Sequence, residues 1–140
     1  MNFTLQIWPQ ASPDSVGKLE SYKAAAVSPD ELFLEMLDAV NERLTIAGQQ
    51  PIAFDSDCRE GICGACGVMI NGVAHGPEMA TASCQLYMRS FRDRHDLLAQ
   101  PCRARRFPLL QVLVVTPRPA AAVIDAAGCT TPAPARAPTR

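Results

Sequence analysis

The first residues of the chain alternate apolar and polar side chains, as a half-buried β-strand does. Phe3, Leu5 and Ile7 are each separated by one polar residue, and this spacing places them on one face of a strand. The alternation predicts a strand that ends near Trp8. Residues 18–27 are a second strand candidate, although their apolar residues are less regularly spaced and their alanines are uncommon in strands.

The next apolar residues recur every three or four positions, which predicts one amphipathic helix. Ser28 is the expected N-cap, Pro29 suits the first helical position, and Glu31 stands three residues after the cap. Gly48 is expected to end the helix. The apolar stripe is expected to pack into the core, and it consists of Phe33, Met36, Leu37, Val40 and Leu44.

Shorter apolar segments follow in the second half of the chain. Residues 68–70 run into Asn71-Gly72, a pair that is typical of a type I′ hairpin turn. Residues 97–98 predict a short strand, and the apolar stretch 107–115 predicts either a strand or a short buried helix. Strands before and after one helix predict a small α+β domain, in which the helix packs across a mixed sheet.

A change in composition divides the chain near residue 116. Residues 117–140 contain five of the twelve prolines and show no apolar periodicity, so we expect them to form a disordered tail. Residues 1–116 then form one domain and the start of a linker. A hydrophobic content of 48% is ordinary for a globular chain and allows a modest core.

Charge is nearly balanced overall but uneven along the chain. The net charge of −1 argues against a general nucleic-acid-binding protein. Residues 1–66 hold four basic and ten acidic side chains, whereas residues 88–118 hold seven arginines against two aspartates. This asymmetry suggests either a polar docking surface or a solvated face. Neither a long apolar run nor a secretory leader pattern is found, so we expect a cytoplasmic protein without a membrane span.

Four cysteines form the candidate site. Cys58, Cys63 and Cys66 make a C-x4-C-x2-C run, and Cys84 follows after the predicted hairpin. This spacing is the plant-type ligand run of a [2Fe–2S] cluster, in which four thiolates converge on two irons. Glycines can let the backbone approach such a cluster closely, and three lie inside or just after the run: Gly61, Gly64 and Gly67.

Other uses of these residue types stay open. A four-cysteine zinc site usually pairs two short C-x2–4-C knuckles, whereas here the cysteines divide three and one. A disulfide framework is disfavoured, because the chain shows no signal peptide and can build a core. Cys102 and Cys129 lie outside the run and are expected to be free thiols. His75 and His95 are expected at the surface and not as ligands.

Charged residues near the site have two interpretations each. Arg59 and Glu60, inside the cysteine run, either set the charge near a cluster or are simply solvated. A later basic group either contacts a partner or an acidic lipid surface, or is solvated, and it consists of Arg103, Arg105 and Arg106.

The cysteine run resembles a known family over a longer stretch than the ligand spacing alone. Residues 55–67 resemble the cluster loop of the iron–sulfur subunits of succinate dehydrogenase and fumarate reductase. Ile70-Asn71-Gly72, the segment 84–91 and the predicted helix from Ser28 are also similar to that family. The resemblance covers about residues 1–116, and the sequence Cys-Arg-Glu-Gly-Ile-Cys-Gly is not usual in generic plant-type ferredoxins.

This resemblance implies a fold, a cofactor and a partner. The family has a β-grasp (ubiquitin-like) [2Fe–2S] ferredoxin domain, and its partner is a flavoprotein that carries FAD and oxidises succinate or reduces fumarate. The implied role is one-electron transfer, with no bond chemistry on succinate by this chain. An assembled complex would lie at the inner face of the cell membrane through a membrane-anchor subunit. The implied cluster ligands are Cys58, Cys63, Cys66 and Cys84.

The chain departs from the family in its second half. The family binds two further clusters there through C-x2-C-x2-C-x3-C-P runs, but after Cys84 only Cys102 and Cys129 remain. The change of character after Val115 leads us to expect a truncated, frameshifted or split subunit. Two alternatives are kept: an independent ferredoxin-like carrier, and a zinc-stabilised or metal-free binding module.

Overall fold

One helix packs across a five-stranded mixed sheet. The structure is a computed structural model that describes residues 1–7, 19–101, 109–111 and 114–115. Two short 3₁₀ turns, Ser83–Gln85 and Met88–Ser90, lie between the fourth and fifth strands. The elements in chain order are β1 (Phe3–Ile7), β2 (Glu20–Ala24), α1 (Phe33–Ile46), β3 (Val68–Ile70), β4 (Val73–Ala74), β5 (Asp96–Pro101), β6 (Leu109–Gln111) and β7 (Val114–Val115).

The strand order of the sheet is β2-β1-β5-β3-β4, with β6 and β7 as a separate antiparallel pair. β1 runs parallel to β5 and antiparallel to β2, while β3 runs antiparallel to both β5 and β4. Leu5 lies opposite Leu97 and Ile7 opposite Ala99, so buried residues of the two central strands share one face. This arrangement confirms the predicted α+β, β-grasp fold.

The core lies between that face of the sheet and the apolar side of α1. The strand prediction for the first residues is confirmed, because Phe3, Leu5 and Ile7 are all buried. Each large apolar side chain that becomes buried contributes about 1.5–3 kcal/mol to folding. Leu44, the last residue of the predicted stripe, is only partly buried against the core. The helix contributes the buried residues Phe33, Leu34, Met36, Leu37 and Val40.

The helix begins later than the sequence predicts. Ser28 and Glu31 do make reciprocal bonds, since the Ser28 N–H donates to the Glu31 carboxylate at 3.1 Å, but these bonds close an isolated turn. Leu32 then has an extended backbone and pairs with Tyr87 in an antiparallel bridge. The first helical N–H, that of Phe33, donates to the distant Leu86 carbonyl at 2.8 Å. The expected Ser28 cap is therefore replaced by this tertiary pairing together with a local bond, in which the Leu32 N–H donates to the Glu35 carboxylate at 2.8 Å.

The helix end and the hairpin follow the predicted turn chemistry. Gly48 has φ +69°, its N–H donates to the Thr45 carbonyl, and the next amide donates to the Leu44 carbonyl. These are the two bonds of a Schellman motif. At the hairpin, Asn71 has φ +52° and Gly72 has φ +80°, which confirms the type I′ turn.

Several predictions fall wholly or partly outside the described residues. For the stretch 107–115, the sequence left open either a strand or a short buried helix. The structure has strands there, at Leu109–Gln111 and Val114–Val115. Within the part of the chain that the structure covers, no helix has the length and apolar character needed to cross a bilayer. The expected tail 117–140, the free thiols Cys102 and Cys129 and the basic group Arg103, Arg105 and Arg106 lie outside the described residues.

Candidate metal centre

Two separate segments carry the four cysteines. Cys58, Cys63 and Cys66 lie in the irregular loop between α1 and β3, and Cys84 lies in the 3₁₀ turn Ser83–Gln85. Cys66 and Cys84 are buried, with 4% and 2% of their surface exposed, and both belong to the main core. Cys58 is half-buried and Cys63 is exposed. We call Cys58 and Cys63 the outer pair and Cys66 and Cys84 the inner pair.

The outer pair is surrounded by backbone amides. The Glu60 N–H donates to Cys58 Sγ at 3.3 Å, and the Ala65 N–H donates to Cys63 Sγ at 3.4 Å. Hydrogen bonds to Cys58, first from Glu60 and then from the Ile62 amide and the Cys63 side chain, lower the pKa of the Cys58 thiol to about 7. The loop thus stabilises a thiolate at Cys58, the protonation state that binds metal.

The inner pair has the opposite environment. Burial is the largest of the influences that raise the pKa of the Cys66 thiol to about 11, and the neighbouring Cys84 side chain adds to the effect. A charge interaction with Cys63 is the smallest of the influences that raise the pKa of the Cys66 thiol. Because Cys66 is a neutral thiol in this environment, a metal bound there must displace its proton.

The division of the thiols into a buried pair and a more exposed pair can be compared with the needs of a cluster. Among the residues that the structure describes, no group of three His, Cys, Asp or Glu side chains is arranged to hold a metal ion. A [2Fe–2S] cluster instead takes two thiolates at each of its two irons. The backbone also suits close approach, since Gly61 has φ +78° and Gly64 has φ +76°, and a Cβ at Gly64 would meet no atom within 4 Å.

Side chains outside the cysteine spacing hold this loop, and sequence reasoning did not identify most of them. The Arg59 guanidinium pairs with Asp38 of α1, with 2.6 Å between Nη1 and Oδ2. The Gln85 side-chain amide donates to the Arg59 carbonyl at 2.7 Å. Asn41 exchanges two hydrogen bonds with the backbone of Ile52. A polar residue beside a helix's apolar stripe, such as Asn41, is the one sequence signal that could have indicated this role.

The two histidines are placed differently. His95 is exposed, as predicted. His75 is half-buried, its Nδ1 lies 3.4 Å from the hydroxyl oxygen of the fully buried Ser83, and burial lowers the pKa of its imidazole. His75 therefore takes part in packing next to the inner pair and is not the free surface residue that we expected.

Comparison with known proteins agrees with this geometry. A family model described as a 2Fe-2S iron–sulfur cluster binding domain matches residues 4–124. Among solved structures, the chain is similar to one in the Mycobacterium smegmatis Sdh1 complex in the apo form, with 24% identity and a TM-score of 0.64. The likeness covers 82% of this chain but only 42% of that chain, and at this identity it concerns the fold. A search of curated proteins gives no match.

Proposed function

Since the chain belongs to the family of 2Fe-2S iron–sulfur cluster binding domains, we propose that its outer and inner pairs each hold one iron of the [2Fe–2S] cluster. The observation that supports this assignment is the division of the four thiols by burial, with Cys66 and Cys84 in the core and Cys58 and Cys63 in the more exposed part of the loop. When bound, the cluster supplies one-electron redox chemistry. The chain itself binds the cluster, shields one side of it and sets the charge around it.

The loop amides adjust the energy of the reduced state. The N–H groups of Glu60 and Ala65 already point at sulfur atoms of the outer pair. Each electron that arrives adds negative charge, and N–H donors to sulfur stabilise that charge. We therefore assign these amides the role of raising the reduction potential above that of a cluster without such donors.

Electrons are proposed to enter and leave on the side of the outer pair. The inner pair is part of the core, whereas Cys63 is exposed and its neighbour Ile62 has 79% of its surface exposed. An apolar side chain that is exposed beside a redox centre suits contact with another protein. The partner surface would then be the face of the loop around Ile62.

We propose that the partner is the FAD-containing flavoprotein of a succinate dehydrogenase or fumarate reductase. The sequence resemblance around the cysteines supports this family, and the fold likeness to a chain of the Sdh1 complex is consistent with it. In such a complex this chain would be (part of) the iron–sulfur subunit. It would lie against the inner face of the cell membrane through a membrane-anchor subunit. Because the chain spans less than half of the matched Sdh1 chain, the onward route of the electron is not assigned.

A second function is an independent ferredoxin-like carrier. The matched family is described by its cluster and not by a partner. This chain alone supplies all four thiols of the proposed ligand set. On this alternative the same outer pair exchanges electrons with a soluble reductase or oxidase. The two functions therefore share a cofactor and differ in the protein that covers the outer pair.

The first experiment concerns the cofactor. The full chain, reconstituted with iron and sulfide under anaerobic conditions, should hold iron and acid-labile sulfide in equal amounts and give the visible absorption of a [2Fe–2S] cluster. Cys63→Ser should lose most of that absorption, because it removes a thiolate ligand. Cys102→Ser is the matched control and should retain it. Equal loss in both variants would show that the ligand assignment is wrong.

The second experiment concerns the partner. The reconstituted chain should co-purify with a succinate dehydrogenase flavoprotein subunit expressed beside it, and the cluster should be reduced when succinate is added to the pair. A chain that stays monomeric and oxidised there, yet accepts electrons from a ferredoxin reductase, would favour the independent carrier.

A further inference from the structure

Arg59 has an unusual backbone conformation for its side chain. It lies directly after Cys58 and has φ +54°, in the left-handed region that non-glycine residues seldom occupy. Such a conformation is energetically unfavourable for a non-glycine residue and persists where the surroundings hold it in place. The loop therefore needs contacts that hold Arg59, and it needs them beside a proposed cluster ligand.

Arg59 is held at both ends. At the side-chain end, its guanidinium pairs with Asp38 of α1 and donates a longer bond, 3.4 Å, to the Ser56 hydroxyl. At the backbone end, its carbonyl accepts a 2.7 Å bond from the Gln85 amide. One residue thus joins the helix to the cysteine loop and the cysteine loop to the 3₁₀ turn.

Gln85 extends this connection to the inner pair. Its Nε2 donates both to the Arg59 carbonyl and, at 3.0 Å, to the carbonyl of Cys84, the residue before it. The side chain also lies across Gly61, where a Cβ would be only 3.2 Å from Gln85 Cγ. The absence of a side chain at Gly61 therefore gives Gln85 the room to reach Arg59.

The helix that carries Asp38 is itself fixed to the loop nearby. Three residues further on, Asn41 binds the backbone of Ile52 through bonds of 2.7 and 2.8 Å. Positions 38 and 41 lie on the same side of the helix. Asp38 thus belongs to a rigid support, and the path from α1 through Arg59 and Gln85 to Cys84 is continuous.

We propose that Asp38, Arg59 and Gln85 form a strap that positions the outer pair relative to the inner pair and thereby controls how long the cluster persists. This inference rests on the proposed function, since it concerns the [2Fe–2S] cluster that the two pairs hold. The three are positioning residues, because they act through the backbone that carries Cys58 and Cys84. Hydrogen-bonded partners of metal ligands commonly change affinity by about tenfold or more when they are mutated.

The strap also carries a charge whose effect can be separated from its geometry. Arg59 directly follows Cys58 in the chain and carries a positive charge that interacts with Cys84, so its removal should lower the reduction potential because reduction adds negative charge. Asp38 is the opposite charge on the same strap, so its removal should raise the potential. The two substitutions should therefore change the reduction potential in opposite directions. Both should shorten the lifetime of the cluster, because each breaks the strap.

The test uses the reconstituted full chain with Arg59→Gln, Asp38→Asn and Gln85→Met, the last having similar shape but no donor. In each variant, bleaching of the visible absorption by a chelator should be about tenfold faster than in the unmodified chain. The reduction potential should fall in Arg59→Gln, rise in Asp38→Asn and change least in Gln85→Met. Circular dichroism of each variant establishes that the fold is retained.

A matched control is available on the same protein. Asp30 forms an exposed ion pair with Arg89 outside the cysteine loop, so Asp30→Asn makes the same chemical change without touching the strap. It should bleach at the rate of the unmodified chain. If the folded strap variants bleach no faster than Asp30→Asn, the strap is wrong although the cluster assignment stands. If the unmodified chain takes up no cluster at all, the proposed function is wrong.

Discussion

At the scale of residues, the two cysteine pairs differ in exposure, with Cys63 at the surface and Cys84 within the core. The run from Cys58 to Cys66 and the later Cys84 were predicted as one ligand set, and that assignment stays a prediction that the Cys63→Ser experiment tests. The spacing could not show that Cys63 is exposed while Cys84 is within the core, because burial depends on strands and turns distant in sequence. Nor could it show the contacts of Arg59 with Asp38 and Gln85, which lie 21 and 26 positions away in the sequence.

The two histidines provide a prediction at this scale. Burial lowers the pKa of His75 in the folded chain, so the unfolded chain binds more protons in the range between the two pKa values. The free energy of unfolding should therefore be highest above the unfolded pKa of about 6.5 and should fall as the pH drops below it. Urea unfolding of the cluster-free chain at several pH values measures this dependence.

His75→Asn should flatten that part of the pH profile, since the residue that takes up the proton is gone. His95→Asn changes an exposed histidine and serves as the control, with the profile of the unmodified chain. A His75→Asn profile as steep as that of the control would assign the acid sensitivity to other groups.

At the scale of elements, α1 organises the site as well as the core. Its first turn is paired with the segment after Cys84 through the Leu32–Tyr87 bridge, and its middle holds the loop through Asp38 and Asn41. The apolar stripe predicted the buried face of the helix, because that face follows from local periodicity. It did not predict where the helix begins, because a strand-like pairing with a distant segment decides that end.

The bonds of Asn41 give a prediction for this element. Its side chain binds both the N–H and the carbonyl of Ile52, a buried residue for whose backbone the described part of the chain provides no other hydrogen-bond partner. Asn41→Ala should lower the free energy of unfolding by about 1–3 kcal/mol, the cost of leaving buried polar groups unpaired. It should also speed the loss of the cluster, because the segment that leads into the cysteine loop is freed.

Thr45→Ala is the matched control on the same helix. The Thr45 hydroxyl donates only to a helix carbonyl, that of Asn41, and the residue is exposed. Its removal should change the free energy of unfolding by less than about 0.5 kcal/mol. Denaturant midpoints of the two variants give the comparison, and a similar small shift in both would mean that Asn41 does not anchor the loop.

For the whole molecule, the fold divides the site into a core side and a solvent side. The inner pair joins the buried cluster of side chains between the sheet and α1, whereas the outer pair lies at the surface. The resemblance in sequence predicted the β-grasp fold that produces this division. It did not predict which part of the loop faces a partner. The exposure of Ile62, which lies between two proposed ligands, depends on the folded conformation of the whole loop.

Two isoleucines with nearly equal exposure allow that surface to be tested. Ile62 is 79% exposed between Gly61 and Cys63, and Ile46 is 80% exposed at the end of α1. If a flavoprotein covers the outer pair, Ile62→Lys buries a charge in the contact and should weaken binding about tenfold or more. Ile46→Lys adds the same charge at the far end of the helix and should leave binding unchanged.

Titration of a succinate dehydrogenase flavoprotein subunit with each reconstituted variant measures this difference. Both variants should keep the cluster spectrum, so a change in affinity reports on docking alone. Equal weakening by both would mean that charge, and not the face around Ile62, determines the contact.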